Sequence, residues 1–150
     1  MELEKEIKQT RKFASEYQKL MVNLIYSGSW LSNINNKFLK KFNVTPQQYN
    51  ILRILKGQHP KPASVNLLID RMLDKMSNAS RLVEKLRQKG LVDRTECKED
   101  RRQVDVYITE QGLQLLEQIN QHYMEWESAL HTLTEEEAAQ LNTLLDKLRG

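Results

Sequence analysis

Cysteine and long apolar stretches are scarce in this sequence. The chain has 1 cysteine among its 150 residues, so no internal disulfide can form, which fits a reducing compartment. No apolar run approaches the ~20 residues that a membrane-spanning helix needs. The amino-terminal segment is charged and lacks an apolar core, so we do not expect a signal peptide. We therefore expect a cytoplasmic protein.

Residue patterns typical of catalysis are missing as well. There is no glycine-rich phosphate-binding loop, and no nucleophile–base pair that the sequence would bring together. His59, His122 and His131 show no metal-ligand spacing with one another or with Cys97. We therefore expect a protein that is not an enzyme and that uses no metal and no cofactor.

Charge is ordinary in amount but uneven along the chain. Hydrophobic residues make up 39% and charged residues 29%, as in a typical globular protein, so we expect one domain over residues 1–150. Residues 37–61 contain cations and no acid, whereas residues 109–150 are rich in acids. Such asymmetry suits a protein that binds DNA with one side, although solvated helix faces would produce the same pattern.

Long apolar stripes predict helices at both ends of the chain. Residues 4–41 are expected to form one long helix with a heptad-like stripe. Residues 110–150 predict two more helices, one capped by Thr109 and running to Leu130, the other starting at the capping box of Thr134. A small domain cannot bury all of these stripes, so we expect the helices to interlock with those of a second copy.

Three shorter helices are predicted between these ends. The first begins at Thr45, which is followed by a proline and by a glutamine that completes a capping box. The second begins at Ser64. For the third we expect Asp74 as the N-cap and Gly90 as the stop after a basic last turn. The second and third helices would form a helix-turn-helix.

The pattern changes to that of a β-hairpin after Gly90. Apolar and polar residues alternate over 103–108, residues 91–95 supply a partner strand, and the charged tip covers 96–102. A basic helix followed by a basic hairpin is the layout of a winged helix, whose helix enters a DNA major groove while the hairpin reaches the adjacent minor groove. We therefore predict a mainly α fold with a small two-stranded β wing.

Four short segments of this region resemble the signature of the MarR (multiple antibiotic resistance regulator) family. They are SRLV at 80–83, LRQKGLV at 86–92, DRR at 100–102 and ITEQG at 108–112.

The resemblance implies a bacterial winged-helix transcription factor that acts as a dimer. The DNA-binding lobe would cover about 45–109, and the dimerisation helices would cover about 4–41 and 110–150. We expect a sequence-specific regulator, most often a repressor, that binds a pseudo-palindromic operator.

Polar and basic residues near the start of the third helix are the expected base and phosphate contacts. Ser77, Asn78 and Arg81 have hydrogen-bonding groups and a helical spacing suited to base edges. Ser80 suits a phosphate or a base, and Lys85, further along, suits a phosphate. A solvated polar face would explain the same residues without DNA.

The hairpin tip supplies the remaining expected contacts. The resemblance implies that Arg102 enters the minor groove and that Asp100 orients it or a nearby arginine. A planar guanidinium that is always charged suits such a narrow, electronegative groove. Lys98 and Arg101 would add phosphate contacts. The alternative is a tip whose charges only keep the hairpin soluble.

An effector pocket is implied by the resemblance alone. Relatives often bind small aromatic or anionic compounds between the dimer helices and the DNA-binding lobe. Four residues are candidates for such a pocket, although each fits ordinary core or surface better: Tyr26, Trp30, Tyr49 and Arg53.

Cys97 raises the question of a redox switch. The sensor cysteines of relatives lie in the helical dimer region, whereas Cys97 lies in the wing. Nearby cations would lower the pKa of this thiol and nearby acids would raise it. We expect an incidental exposed thiol.

Two other classes of function stay open. A winged helix can bind another protein, which an acidic third helix would favour, and here Glu84 is the acid that interrupts its basic surface. An architectural DNA binder would instead hold every duplex with similar affinity.

Overall fold

A computed structural model describes residues 2–150 as two compact units, 2–43 and 44–150. In the first unit, α1 spans Leu3–Glu6 and α2 spans Glu16–Lys40. The prediction of one long helix over 4–41 is therefore wrong. Lys8 has a positive φ of 54°, and the Ser15 hydroxyl accepts the Gln18 N–H at 3.2 Å. A serine that satisfies a free helical N–H starts a helix at its own position, so α2 begins there.

The second unit holds the remaining elements. In chain order they are α3 (Pro46–Gln58), β1 (Ala63–Ser64), α4 (Val65–Arg71), α5 (Ala79–Gln88), β2 (Val92–Glu96), β3 (Val104–Ile108), α6 (Glu110–Gln121), α7 (Tyr123–Glu127), a 3₁₀ turn (Ser128–Leu130) and α8 (Glu135–Arg149).

Four helix starts of this unit agree with the sequence prediction. The side chains of Thr45, Ser64, Thr109 and Thr134 each accept the N–H of the residue three positions later. Thr45 and Thr134 form complete capping boxes. These starts were predictable because a cap depends on neighbouring residues alone.

The sheet contains a strand that the sequence did not predict. Its order is β1-β3-β2, and all pairings are antiparallel. In β1, Ala63 lies opposite Val106 and Ser64 lies opposite Asp105. The expected two-stranded wing, β2 and β3 with the tip at 97–103, is thus joined to the start of α4 by a third strand.

The N-cap of α5 is also displaced from its predicted position. Asn78, not Asp74, caps the helix, and its Oδ1 accepts the Arg81 N–H at 3.0 Å. Asp74 instead accepts the Met76 N–H at 3.0 Å in the preceding turn. Both residue types favour caps and turns, so the sequence offered two starts and the later one formed.

The predicted helix from Thr109 to Leu130 is divided. Helix α6 ends at Gln121, and His122 links it to α7 with φ −105° and ψ 12°. The apolar periodicity continues across the break, which is why it did not indicate the end.

The core of the second unit joins its helices to the sheet. Leu52 and Leu55 of α3, Val83 of α5, Val106 of β3 and Leu116 of α6 are buried. No helix within residues 2–150 is long and apolar enough to cross a membrane.

Candidate nucleic-acid interface

Helix α5 has one buried side and one polar side. Ala79, Val83 and Leu86 are buried, so helical geometry places Arg81 and Lys85 away from the core. Both side chains are exposed. The short helix therefore offers a guanidinium and an ammonium to a partner.

The residues expected to contact bases at the start of α5 differ in exposure and in the hydrogen bonds that they already make. Ser80 is exposed, whereas Ser77 is half-buried and hydrogen-bonds the Asp74 carboxylate. Asn78 is exposed, but its Oδ1 already caps the helix, which leaves its amide N–H groups as donors. The structure thus leaves Ser80, Asn78 and Arg81 accessible and engages Ser77.

Glu84, the acid that interrupts the basic surface of α5, bridges two arginines. Its carboxylate accepts from Arg87 Nη2 at 2.8 Å and Nε at 3.1 Å, and lies 3.2 Å from Arg94 Nη2 of β2. The hydrogen bond from Arg87 is the main cause that lowers the pKa of Glu84. The bridge joins α5 to the wing, and no pattern in the sequence indicates this contact between Glu84 and Arg94.

The tip of the wing is ordered by its backbone. The Cys97 N–H donates to Gln103 O at 2.9 Å, and the Gln103 N–H donates to Asp100 O at 2.9 Å. The Asp100 carboxylate accepts the Arg102 backbone N–H at 3.0 Å. Asp100 thus orients the backbone of Arg102, whereas the resemblance implied that it orients a guanidinium.

The wing-tip cations lie in solvent. Lys98, Arg101 and Arg102 are exposed, and across residues 2–150 the structure gives none of them an acidic partner within ion-pair distance. Cys97 is half-buried at the base of this tip.

A compact joint ties the end of α5 to the start of α6. Gly90, with φ 74°, ends α5 in a Schellman motif: its N–H donates to Arg87 O, and the Leu91 N–H donates to Leu86 O. The Thr109 hydroxyl donates to Gly90 O at 2.7 Å and accepts the Gly112 N–H at 3.1 Å.

Gly112 completes this joint because it has no side chain. An added Cβ would overlap the Leu91 backbone oxygen and lie 2.7 Å from Ile108 Cγ1. The Thr-x-x-Gly segment at 109–112 therefore fixes α5, the wing and α6 to one another.

A buried amide braces the same region from α3. Gln48 is 3% exposed, and its Oε1 accepts from the Thr45 N–H at 3.2 Å and from Lys89 Nζ at 3.1 Å. Burial is the first cause that lowers the pKa of Lys89, followed by repulsion from Lys85. Lys89 is thus half-buried against Gln48, whereas Lys85 is exposed.

An aromatic cluster of Tyr49, Tyr123 and Trp126 lies on the second unit. The rings of Tyr49 and Trp126 are 5.1 Å apart, and those of Tyr123 and Trp126 are 6.1 Å apart. Burial raises the pKa of Tyr49, and the charge of Arg53 opposes that shift. Two of the four candidate pocket residues, Tyr49 and Arg53, thus lie at or near this cluster, and their part in an effector pocket stays a prediction.

The other two candidates belong to the first unit. Trp30 is exposed, and a hydrogen bond with Glu6 raises the pKa of Tyr26. Their part in an effector pocket stays a prediction.

Known proteins with similar sequence or structure are transcription regulators. A model of the MarR family matches residues 42–103. The HTH-type transcriptional repressor IacR of Pseudomonas putida is 27% identical over 125 residues, which cover 78% of this chain and 74% of IacR.

Two solved structures share the fold. A cysteine-to-serine variant of MarR from E. coli, complexed with operator DNA, aligns with a TM-score of 0.79 at 22% identity over 92% of this chain and 99% of its own. BpsR of Bordetella bronchiseptica, described in a study of how 6-hydroxynicotinic acid regulates its DNA binding, aligns with a TM-score of 0.77 at 20% identity over 88% and 99%.

Proposed function

We propose that the chain is a transcriptional regulator of the MarR family, which binds a pseudo-palindromic operator as a homodimer, most often to repress transcription. The match of the family model to residues 42–103 and the similarity to IacR support this proposal. Such a regulator works where the chromosome lies, so the proposal includes a cytoplasmic location. The observation that carries the DNA-binding part is the set of exposed cations on α5 and the wing tip, Arg81, Lys85, Lys98, Arg101 and Arg102.

These cations have different tasks in the proposal. Arg81, on the side of α5 opposite the core, donates to a base edge in the major groove, and Asn78 and Ser80 supply neighbouring polar groups. Arg102 enters the minor groove beside it. Lys85, Lys98 and Arg101 bind phosphates and thereby fix the position of the helix on the duplex. Ser77 hydrogen-bonds Asp74, so in this proposal it contributes by holding the turn before α5 in place.

Apolar surface on the terminal helices supports the homodimer. In α2, Tyr17, Met21 and Ile25 follow one another at helical spacing and are exposed; in α8, Leu144 and Leu148 are exposed as well. Rows of exposed apolar residues mark association surfaces, and two-fold dimers are the commonest assembly. A two-fold dimer would place its recognition helices about 34 Å apart, one turn of DNA. Sedimentation equilibrium should give twice the mass of one chain.

A small-molecule effector is the remaining part of the proposal. Tyr49, Tyr123 and Trp126 offer ring faces and edges, and Arg53 offers a cation, which together suit an aromatic compound with an anionic group. The study of BpsR with 6-hydroxynicotinic acid concerns a compound of that kind. An effector that binds one arrangement of the dimer more tightly would shift the recognition helices out of groove register.

Fluorescence anisotropy on two duplexes tests the proposed function. One duplex carries the DNA upstream of the gene for this chain, and the other carries the same bases in shuffled order. Tight, salt-dependent binding to the first alone supports a sequence-specific regulator. Equal binding to both would show an architectural binder, and no binding to either at low salt would favour a protein-interaction module.

A further inference from the structure

The turn before α5 carries an apolar side chain that is almost fully exposed. Met76 is 93% exposed, the highest value among the large hydrophobic residues of the described chain. It lies in the turn that leads to the helix cap, Asn78. A methionine at this place contributes almost nothing to the core and is accessible to a partner.

Hydrogen bonds hold this turn in one conformation. The Asp74 carboxylate accepts the Met76 N–H at 3.0 Å, and it also hydrogen-bonds Ser77 and Gln47; these bonds lower the pKa of Asp74. The Ser77 N–H donates to the Asp74 carbonyl at 3.3 Å. The turn therefore presents Met76 outward instead of letting it fold against the core.

The ammonium group of Lys75, the charged neighbour in this turn, is engaged by the end of α4. Lys75 Nζ donates to the carbonyl oxygens of Ile69 and Asp70, near the end of α4, at 3.4 Å and 2.5 Å. Met76 is consequently the exposed apolar side chain of this turn that lies nearest to the cap of α5. It is continuous along the chain with Asn78 and Arg81, which the proposed function places in the major groove.

We propose that Met76 is a specificity-determining residue that packs against a thymine methyl group in the major groove. This inference rests on the proposed function, because it needs α5 in the groove. Residues at the N-terminal end of such a helix are the ones that meet base edges. Thymine presents a methyl group on that edge, and apolar side chains contact it.

The test compares thymine with uracil, which lacks that methyl group. The probe is the duplex that the wild-type chain selects from a random-sequence library, with single thymines replaced by deoxyuridine, and affinity is measured by anisotropy. At one thymine of each half-site, replacement should weaken wild-type binding about fourfold, the effect expected for one buried methyl group. Met76→Ala should bind the thymine and the uracil duplex with equal affinity. Met76→Leu should keep the wild-type preference for thymine.

Leu73 provides a matched control on the same turn. It is 87% exposed and lies further from the cap, so Leu73→Ala should keep the wild-type preference for thymine at that position. Loss of the preference in Leu73→Ala as well would overturn the assignment to Met76.

The outcomes separate this inference from the proposed function. In one outcome, the wild-type chain selects a duplex while Met76→Ala loses as much affinity as wild type at each replacement of thymine by deoxyuridine. In that case Met76 does not contact a thymine methyl, and the proposed function stands. If no duplex is selected, the proposed function fails, and the contact with thymine fails with it.

Discussion

Gly112 is the position where the smallest addition should disturb the lobe most. A Cβ at this residue would overlap the backbone oxygen of Leu91 and crowd Ile108 at 2.7 Å. The Leu91 oxygen cannot move freely, because it accepts the Thr109 N–H at 3.1 Å. Gly112→Ala must therefore shift the start of α6 away from the end of α5.

The size of the effect follows from two opposing contributions. Overfilling a packed site costs about 1–3 kcal/mol. Replacing glycine by alanine within a helix returns at most about 1 kcal/mol. We expect Gly112→Ala to lower the free energy of unfolding by about 1–2 kcal/mol, which for a chain of this size lowers the melting temperature by about 2–8 °C.

Gly57→Ala is the matched control, because its surroundings are open. Gly57 lies in α3 with nothing within 4 Å of an added Cβ. The same substitution should therefore raise the free energy of unfolding by about 0.5–1 kcal/mol. Urea unfolding followed by circular dichroism, at one fixed protein concentration, measures both variants. A Gly112→Ala variant as stable as wild type would refute the close approach of α6 to Leu91.

Three further substitutions test other contacts of the lobe. Thr109→Val keeps the side-chain shape but removes the cap of α6 and the bond to Gly90 O, so urea unfolding should show a loss of about 1–2 kcal/mol; an unchanged midpoint would contradict the cap. The lowered pKa of Glu84 means that its ionised form stabilises the fold above the ordinary value of 4.5 and that this contribution is lost at lower pH. The stability difference between wild type and Glu84→Gln should thus shrink as the pH falls below that value, and a constant difference from neutral to acid pH would contradict the pairing of Glu84 with Arg87 and Arg94. Arg102→Ala should weaken operator binding and reduce the slope of log affinity against log salt by about 1.8, since two cations, one from each subunit of the proposed dimer, leave the interface; a wild-type slope and affinity would remove Arg102 from the site.

Local signals explain which parts of the fold were predictable. The caps at Thr45 and Thr109 require a side chain and a backbone N–H three positions apart, so the sequence contains both partners. The hairpin was predictable for a similar reason, because alternation and adjacency define its two strands. Its register, with Val92 opposite Ile108, follows from the apolar faces of the strands.

The features that escaped prediction depend on distant residues or on competing choices. Strand β1 consists of Ala63 and Ser64, which form a strand only because β3 lies beside them. Asp74 and Asn78 are both good caps, and the choice between them follows from where Asp74 finds its other partners, Ser77 and Gln47.

In the candidate site, too, features that depend on local sequence were predictable and contacts between distant residues were not. Arg81, Lys85 and the wing cations could be named from residue type and spacing. The bridge from Glu84 to Arg94 required the three-dimensional arrangement, since nothing in the sequence places β2 beside the middle of α5.

The central claim is that α5 recognises the operator. Its most direct test is the ratio of the affinities for a selected and a shuffled duplex, measured for Arg81→Ala and for Arg87→Ala. Both changes remove one guanidinium from α5, but Arg87 is paired with Glu84, whereas Arg81 is exposed opposite the core. The account predicts that Arg81→Ala lowers the ratio about a hundredfold, because one base contact is lost in each of the two half-sites and each is worth about 1–3 kcal/mol of discrimination. It predicts that Arg87→Ala leaves the ratio unchanged. An unchanged ratio in Arg81→Ala would contradict the assignment of α5 as the helix that recognises the operator.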